Sequence, residues 1–574
     1  MIEPMTETTN HAEVNRQVQE AYVNVGLALR QAGEYQEAAA NLRKAIERDP
    51  EAATPYLALG LVLNDATQYA EAQEVLRQAL EHVVEEDTET CAAAYAALGT
   101  SLQALEHYDK ASNAFQEALR LGHQTSELYT RLGESLYLSD RDEEALAALE
   151  RALALDTENA RAHASKGRVL GWLERYDEAL AAFDKALRLD PNDTFILGHK
   201  GRVLARMGRY DEGLALLDQA FELTPDDRRT WAWKGEVLTQ AERYDEAVAA
   251  LDHAIELKPD YEWAWAWKGE PLRLAGRYDE AITAFDRATE LKPDYEWAWA
   301  HKGEALRLAG RYDEAVAALE RAIELKPDDE WAWASKGVAL AQAERYDEAI
   351  AALDRVTELK PDVEWAWTIK GVALARTGRY DEAITALDRA TEIKPDDRSD
   401  WAWKGEVLRL AERYDEAIIA LDRATELKSD YEWAWSCKGE ALRQAGKCGE
   451  AIAALDRAIM LGQSSWPCYQ RGLCHTALDQ PEQAALDFTA AIERAHASLG
   501  QEPESAEEQF NLALYLLATG QTEPALQAYQ TALALNLDNF TLRNALRDLA
   551  DLRAQMGEFR GLKEAERLLG ERIT

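Results

Sequence analysis

Residues 260–270 read DYEWAWAWKGE, with tryptophan at 263, 265 and 267. Large apolar residues at every second position mark a half-buried strand, and aromatic side chains favour strands. The flanks point elsewhere. "IELKP" precedes the stretch and "PLRLAG" follows it, and both have the spacing and composition of helix ends. Whether 260–270 is a strand or a helix with tryptophan on two faces decides the fold.

Self-similarity along the chain answers the question. KPDYEWAW stands at 258–265 and again at 292–299, with KPDDEWAW at 326, KPDVEWAW at 360 and KSDYEWAW at 428. A glycine keeps the register: Gly26 and Gly60, then Gly99, Gly133, Gly167, Gly201, Gly235, Gly269, Gly303, Gly337, Gly371, Gly405 and Gly439, each 34 residues after the last within the second run. The step from Gly60 to Gly99 is five longer, which places an insertion near 87–91 within "EEDTETC". Gly472 and Ala513 continue the series around a polar stretch, "LGQEPESAEEQ", at 499–509, expected to be a loop. Ala550 is expected to head a last, capping unit.

Each unit reads as two helices. In the unit that starts at 262, the first covers "EWAWAWKGEPLRLA" and ends at Gly276, a residue suited to a helix C-terminus. The second covers "DEAITAFDRATELK", with acids Asp279 and Glu280 in its first turn, Lys292 in its last, and Pro293 beyond. Small residues, glycine on the first helix and alanine on the second, recur where two helices must approach closely. Pro271 stands where sibling units have Ala or Val and predicts a kink or local strain. The period of two in the opening stretch is accidental.

This pattern resembles the tetratricopeptide repeat: Trp265, Gly269, Ala281, Phe285 and Pro293 match its signature, with Lys268 in place of Leu and Leu272 in place of Tyr as departures. The resemblance runs over about 19–574, in fifteen repeats and a sixteenth that caps them. It implies an all-α fold, a right-handed superhelical solenoid of helix–turn–helix units. The chain divides by sequence into a lead-in at 1–18, N-terminal repeats at 19–227, near-identical tryptophan-rich repeats at 228–464, divergent repeats at 465–539 and capping helices at 540–574.

On a helix, Trp263 and Trp267 lie about 40° apart while Trp265 points to the opposite side. The resemblance implies that the Trp265 position, repeated at 231, 299, 333, 367, 401 and 435, packs between the helices. It also implies that the other face lines the concave surface, where peptides bind. That face carries Trp263, Trp297, Trp331, Trp365 and Trp433, together with Trp267, Trp233 and Trp403. Eight indoles of roughly 200 Å² each would make about 1,600 Å² of aromatic surface if wholly exposed. Ala266, Ala300, Ala334 and Ala402 beside them are expected to leave the groove open. Further along come Arg273, Arg307, Arg409 and Arg443, each three residues after a glutamate (Glu270, Glu304, Glu406, Glu440), a spacing at which the two can pair. These tryptophans and arginines, with Glu270 and Glu304, are the candidate partner-binding residues.

The bulk numbers exclude several function classes. A net charge of −41 over 574 residues disfavours nucleic-acid backbones and anionic membranes and favours basic partners. No apolar run approaches the roughly 18 residues of a membrane span. The N-terminus lacks the pattern of a secretory leader, so a cytoplasmic location is expected. Five cysteines without metal-ligand spacing read as reduced thiols. No catalytic or phosphate-binding motif appears, and His253 and His301 read as surface positions of helices. No cofactor or metal is expected. The expectation is a non-catalytic protein–protein interaction scaffold that takes a partner segment in its groove. The alternatives are a regulatory or inhibitory subunit of a bacterial effector complex, or a self-assembling structural solenoid.

Overall fold

The computed structural model describes residues 7–83, 87–535 and 539–573. They form 32 α-helices and, among the described residues, no strand. The stretch 260–270 enters the helix Glu262–Leu274. The chain divides into two compact units, Met1–Ala275 and Gly276–Thr574. The division falls at a turn inside the near-identical repeats, not at 227/228 or 464/465.

Within each unit a first helix packs along its own second helix, and the second meets the first helix of the next repeat. Glu296–Leu308 and Tyr312–Leu325 show why. Ala298, Ala300, Gly303, Ala305 and Leu306 are buried on the first, and Ala315, Val316, Ala318, Leu319 and Ala322 on the second. A Cβ on Gly303 would lie 2.5 Å from Leu319 Cγ, so only glycine permits this approach. The first helix stops because Gly310 turns left-handed at φ +77°, letting the Arg311 amide donate back to the Leu306 carbonyl at 2.9 Å. The equivalent turns at Glu242, Glu344 and Glu412 force a non-glycine residue to φ near +60°.

The Trp265-type indoles are half-buried rather than core. Trp299 Nε1 donates to the Pro293 carbonyl at 3.0 Å, and the Lys302 ammonium over its ring bonds Asp286 of the preceding second helix at 2.6 Å. Trp265, Trp333, Trp367, Trp401 and Trp435 repeat this clasp. It ties each first helix to the repeat before it, so the departure at Lys268 and its counterparts has a structural use. Ala266, Ala300, Ala334 and Ala402 do not open a groove; all are buried between helices, with Ala402, Ala424 and Ala434 in one cluster.

Several expected boundaries move. Residues 7–18 are not a lead-in but the start of the helix Glu7–Gln31. Near 87–91 the insertion becomes an extra turn: the helix Thr88–Ala104 starts at the Asp87 cap, whose side chain accepts from the Thr90 amide. Residues 84–86 lie outside the described residues. The loop at 499–509 shrinks to a turn, because Pro481–Gln501 runs on as helix and Ala506–Ala518 begins at the Ser505 cap. Pro271 is accommodated inside Glu262–Leu274, which continues past it as helix. The capping pair is also unlike the array. Arg560–Ile573 packs on Thr522–Leu533, while Asn539–Met556, here the return helix, turns back along the unit.

Candidate partner-binding face

First helices of successive repeats touch one another, so their outer sides form a continuous face within each unit. The eight candidate tryptophans stand on it in three different environments. Trp331 and Trp365 are 39% and 41% exposed. Trp263, Trp267, Trp297, Trp403 and Trp433 are half-buried. Trp233 is buried at 7% and leaves the candidate surface: its ring packs onto Gly198, where a Cβ would fall 2.2 Å from it, and onto Phe195 and His199. Glycine at 198 makes the slot into which this indole sinks.

In the first unit, Trp263 and Trp267 meet at 5.4 Å between centroids, with Tyr261 beside Trp263 at 6.2 Å. In the second, Trp297, His301 and Trp331 form a stack, with centroids 3.8 Å and 4.6 Å apart and ring planes within 26°. His301 is therefore a half-buried part of the aromatic face, not a bland surface position. Its place was legible: it stands 34 residues after Trp267, in the same register.

The arginines are held by the protein itself. Arg273 bonds Glu270 through both forks at 2.9 and 2.6 Å, and Arg307 bonds Glu304 at 2.8 and 2.7 Å. Arg409 grips Glu406 at 2.9 and 2.7 Å and reaches Glu440 at 2.9 Å. Burial works against the Arg409 charge, yet Glu406 and Glu440 outweigh it and hold its pKa above the usual value. Arg443 departs from the expected pairing with Glu440. It donates to Gln470 at 2.5 Å and to Asp551 of the return helix, because that helix covers it. Carboxylates already occupying these forks leave Arg409 and Arg443 as structural residues.

The return helix lies on the face formed by the repeats from 371 onward. Leu542, Leu549 and Leu552 are buried. Arg547 donates to the Tyr380 hydroxyl at 3.2 Å and Arg543 to the Arg376 carbonyl at 2.9 Å, each contact spanning 167 residues. The Arg376 guanidinium stands 4.2 Å from the centre of the Phe540 ring. No period in the sequence announces this arrangement, which rests on contacts far apart in the chain.

One carboxylate group stands out nearby. Oxygens of Glu364, Asp397 and Asp400 approach within 4.8 Å of one another. The Lys394 ammonium bridges Glu364 at 3.2 Å and Asp397 at 3.1 Å and is the cation of the group. Asp400 is buried where sibling repeats bury Ala298, Ala332 and Ala366. Burial pushes its carboxyl up to about 6, although Thr368 donates to it at 2.6 Å. The five cysteines are unpaired. Among the described residues, no helix is long and apolar enough to cross a membrane.

Comparison with known proteins gives the repeat its name. Tetratricopeptide repeat families match the chain over 26–157, 160–193, 200–432 and 477–539. No curated protein matches it. Among solved structures, YrrB, described as a TPR protein with an unusual peptide-binding site, is 28% identical over 33% of this chain and 95% of its own, with a TM-score of 0.28. The APC/C hetero-tetramer Cut9–Hcn1 is 16% identical over 81% of this chain and 96% of its own, with a TM-score of 0.39. With the helix pairs, the glycine register and the family matches in agreement, the chain belongs to the tetratricopeptide repeat family.

Proposed function

We propose that this chain is a non-catalytic scaffold that holds a segment of a partner protein against the faces of its first helices. One observation carries the reading: Trp331 and Trp365 present indoles more than a third exposed, Trp331 at the end of the Trp297–His301–Trp331 stack and Trp365 at the same register one repeat on. Tryptophan is enriched among the residues that anchor interfaces, and exposed apolar patches mark interaction sites. The net charge of −41 favours basic partners and speeds their approach. In the first unit, Trp263 and Trp267 offer a second, smaller aromatic patch of the same kind.

The test is capture of partners from the source cell by the full chain, identified by mass spectrometry, beside a Trp297→Ala/Trp331→Ala/Trp365→Ala variant. The variant should lose the captured protein while keeping the helical spectrum, since one aromatic anchor is worth about 2 kcal/mol, or some thirtyfold in affinity. Glu290→Gln and Glu324→Gln, on exposed sides of second helices, should leave capture unchanged. Capture kept by the triple variant and lost on the glutamine changes would place the site on the second helices and overturn the reading.

A further inference from the structure

The face under the return helix has a chemistry that its present occupant does not match. Between the return helix and the first helices remains a cavity of about 500 Å³, walled by Trp403, Trp433 and Trp466 and by the carboxyls of Glu406, Glu440 and Asp548. Arg409 also lines it, but its guanidinium is committed to Glu406 and Glu440, so the three together keep one negative charge. Asp548 then adds a further carboxyl from the return helix. Burial first, and the Glu440 charge next, push that carboxyl well above the usual carboxylate range; Arg409 and Arg547 counter this only in part. Burial raises Glu440 in the same way. Indole faces and carboxylates are the two surfaces that stabilise an ammonium or guanidinium, and here the carboxyls of Glu406, Glu432, Glu440, Glu507, Glu508 and Asp548 outnumber the guanidiniums of Arg376, Arg409 and Arg547.

The rest of the contact is well matched to a helix. Leu542, Ala545, Leu549 and Leu552 recur on one stripe and are buried, and Asp551 meets the Arg443 fork. An internal segment needs little intrinsic affinity, because its tether supplies a high effective concentration. A mismatch at position 548 is therefore tolerated within the chain, whereas a separate partner would have to offset the excess of carboxyls.

We propose that the first-helix face over 371–511 is a docking site for an amphipathic partner helix bearing lysine or arginine where the return helix bears Asp548, and that the return helix is the occupant such a partner replaces. The proposal rests on the reading of first-helix faces as partner surfaces, and it adds the partner's chemistry and the segment it displaces.

Two measurements on the full chain test it. Fluorescein-labelled peptides of residues 539–556, native and with Asp548→Lys, are titrated against the protein and followed by anisotropy. The native return helix hinders both peptides equally, so their ratio reports the site. The lysine peptide should bind at least about tenfold tighter, the size of one charge-assisted contact; equal or weaker binding overturns the proposal. In the second, Asp548→Lys is made in the full chain and amide exchange of 539–556 is followed. Exchange should slow by about tenfold or more for the same reason, with Asp548→Asn intermediate; unchanged or faster exchange overturns it. The Trp297→Ala/Trp331→Ala/Trp365→Ala chain should bind the lysine peptide as the parent does. A failure of the aromatic-face reading and a failure of this proposal therefore give different results.

Discussion

The ammonium of Lys302 lies 4.7 Å from the centre of the Trp299 ring, three residues away on the same helix. The pair closes a contact between repeats, since Lys302 also holds Asp286 and the indole holds the Pro293 carbonyl. Trp299→Ala would remove a half-buried ring, a hydrogen bond and a cation–π contact, together roughly 2 to 4 kcal/mol. Trp365→Ala, on the exposed face, should cost about 1 kcal/mol or less. Hydrogen exchange of Tyr278–Leu291 and Glu296–Leu308 reads the first loss locally, as repeat arrays allow. Equal losses for the two variants would contradict the division of the indoles. Asp286→Asn should also destabilise, by up to about 1 kcal/mol, because this acid belongs to the clasp.

Asp400 makes stability depend on pH. Its carboxyl is raised from 3.8 to about 6, so folding takes up a proton between those values. The favourable contribution is therefore complete below about pH 4 and disappears as pH rises through about 6. Asp400→Ala restores the residue of the sibling repeats and leaves Thr368 its bond to the Glu364 carbonyl. The variant should gain about 3 kcal/mol at pH 7.5 and little or nothing at pH 4. Urea unfolding at the two pH values measures the difference, and a gain independent of pH would refute the assignment.

Glu344 and Glu412 occupy left-handed turns that Gly276 and Gly310 fill in neighbouring repeats. Left-handed backbone costs a residue with a Cβ about 1 to 2 kcal/mol. Glycine loses about 0.5 to 1 kcal/mol more chain entropy on folding, so the strain relief wins. Glu344→Gly and Glu412→Gly should each stabilise by about 0.5 to 1 kcal/mol, seen as a higher urea midpoint with an unchanged slope.

Pro271 sits inside a helix whose counterparts carry Ala305, Ala339 and Ala441. Proline there lacks the amide that would bond the turn before it. Pro271→Ala should raise stability by about 1 to 3 kcal/mol, and amide exchange across Glu262–Leu274 should slow. Unchanged exchange would show that the helix has absorbed the proline at no cost.

The helix pairs, their order and the glycine contacts were legible because they repeat every 34 residues and each depends on near neighbours. The environment of each tryptophan was not. Indole is large and amphipathic, so burial turned on single partners such as Gly198 under Trp233. The insertion near 87–91 was legible in place but not as helix, and the extra turn at 499–501 hid, because polar residues suit an exposed helical turn as well as a loop. A helix at the return position was expected among the capping helices at 540–574, but where it docks was not: its partners Tyr380 and Arg376 are 167 residues away, and no local pattern records such a distance.

That distance also divides the array by how it can evolve. Each clasp joins residues at a fixed offset, 16 apart for Lys336 and Glu320, so a duplicated unit carries its own fastening and can be gained or lost upstream of Arg376 without a new interface. Between Tyr380 and the return helix the copy number is locked. One unit more or fewer would slide the floor under Arg547 and Asp551 by a whole repeat, and both of their partners could not be met at once.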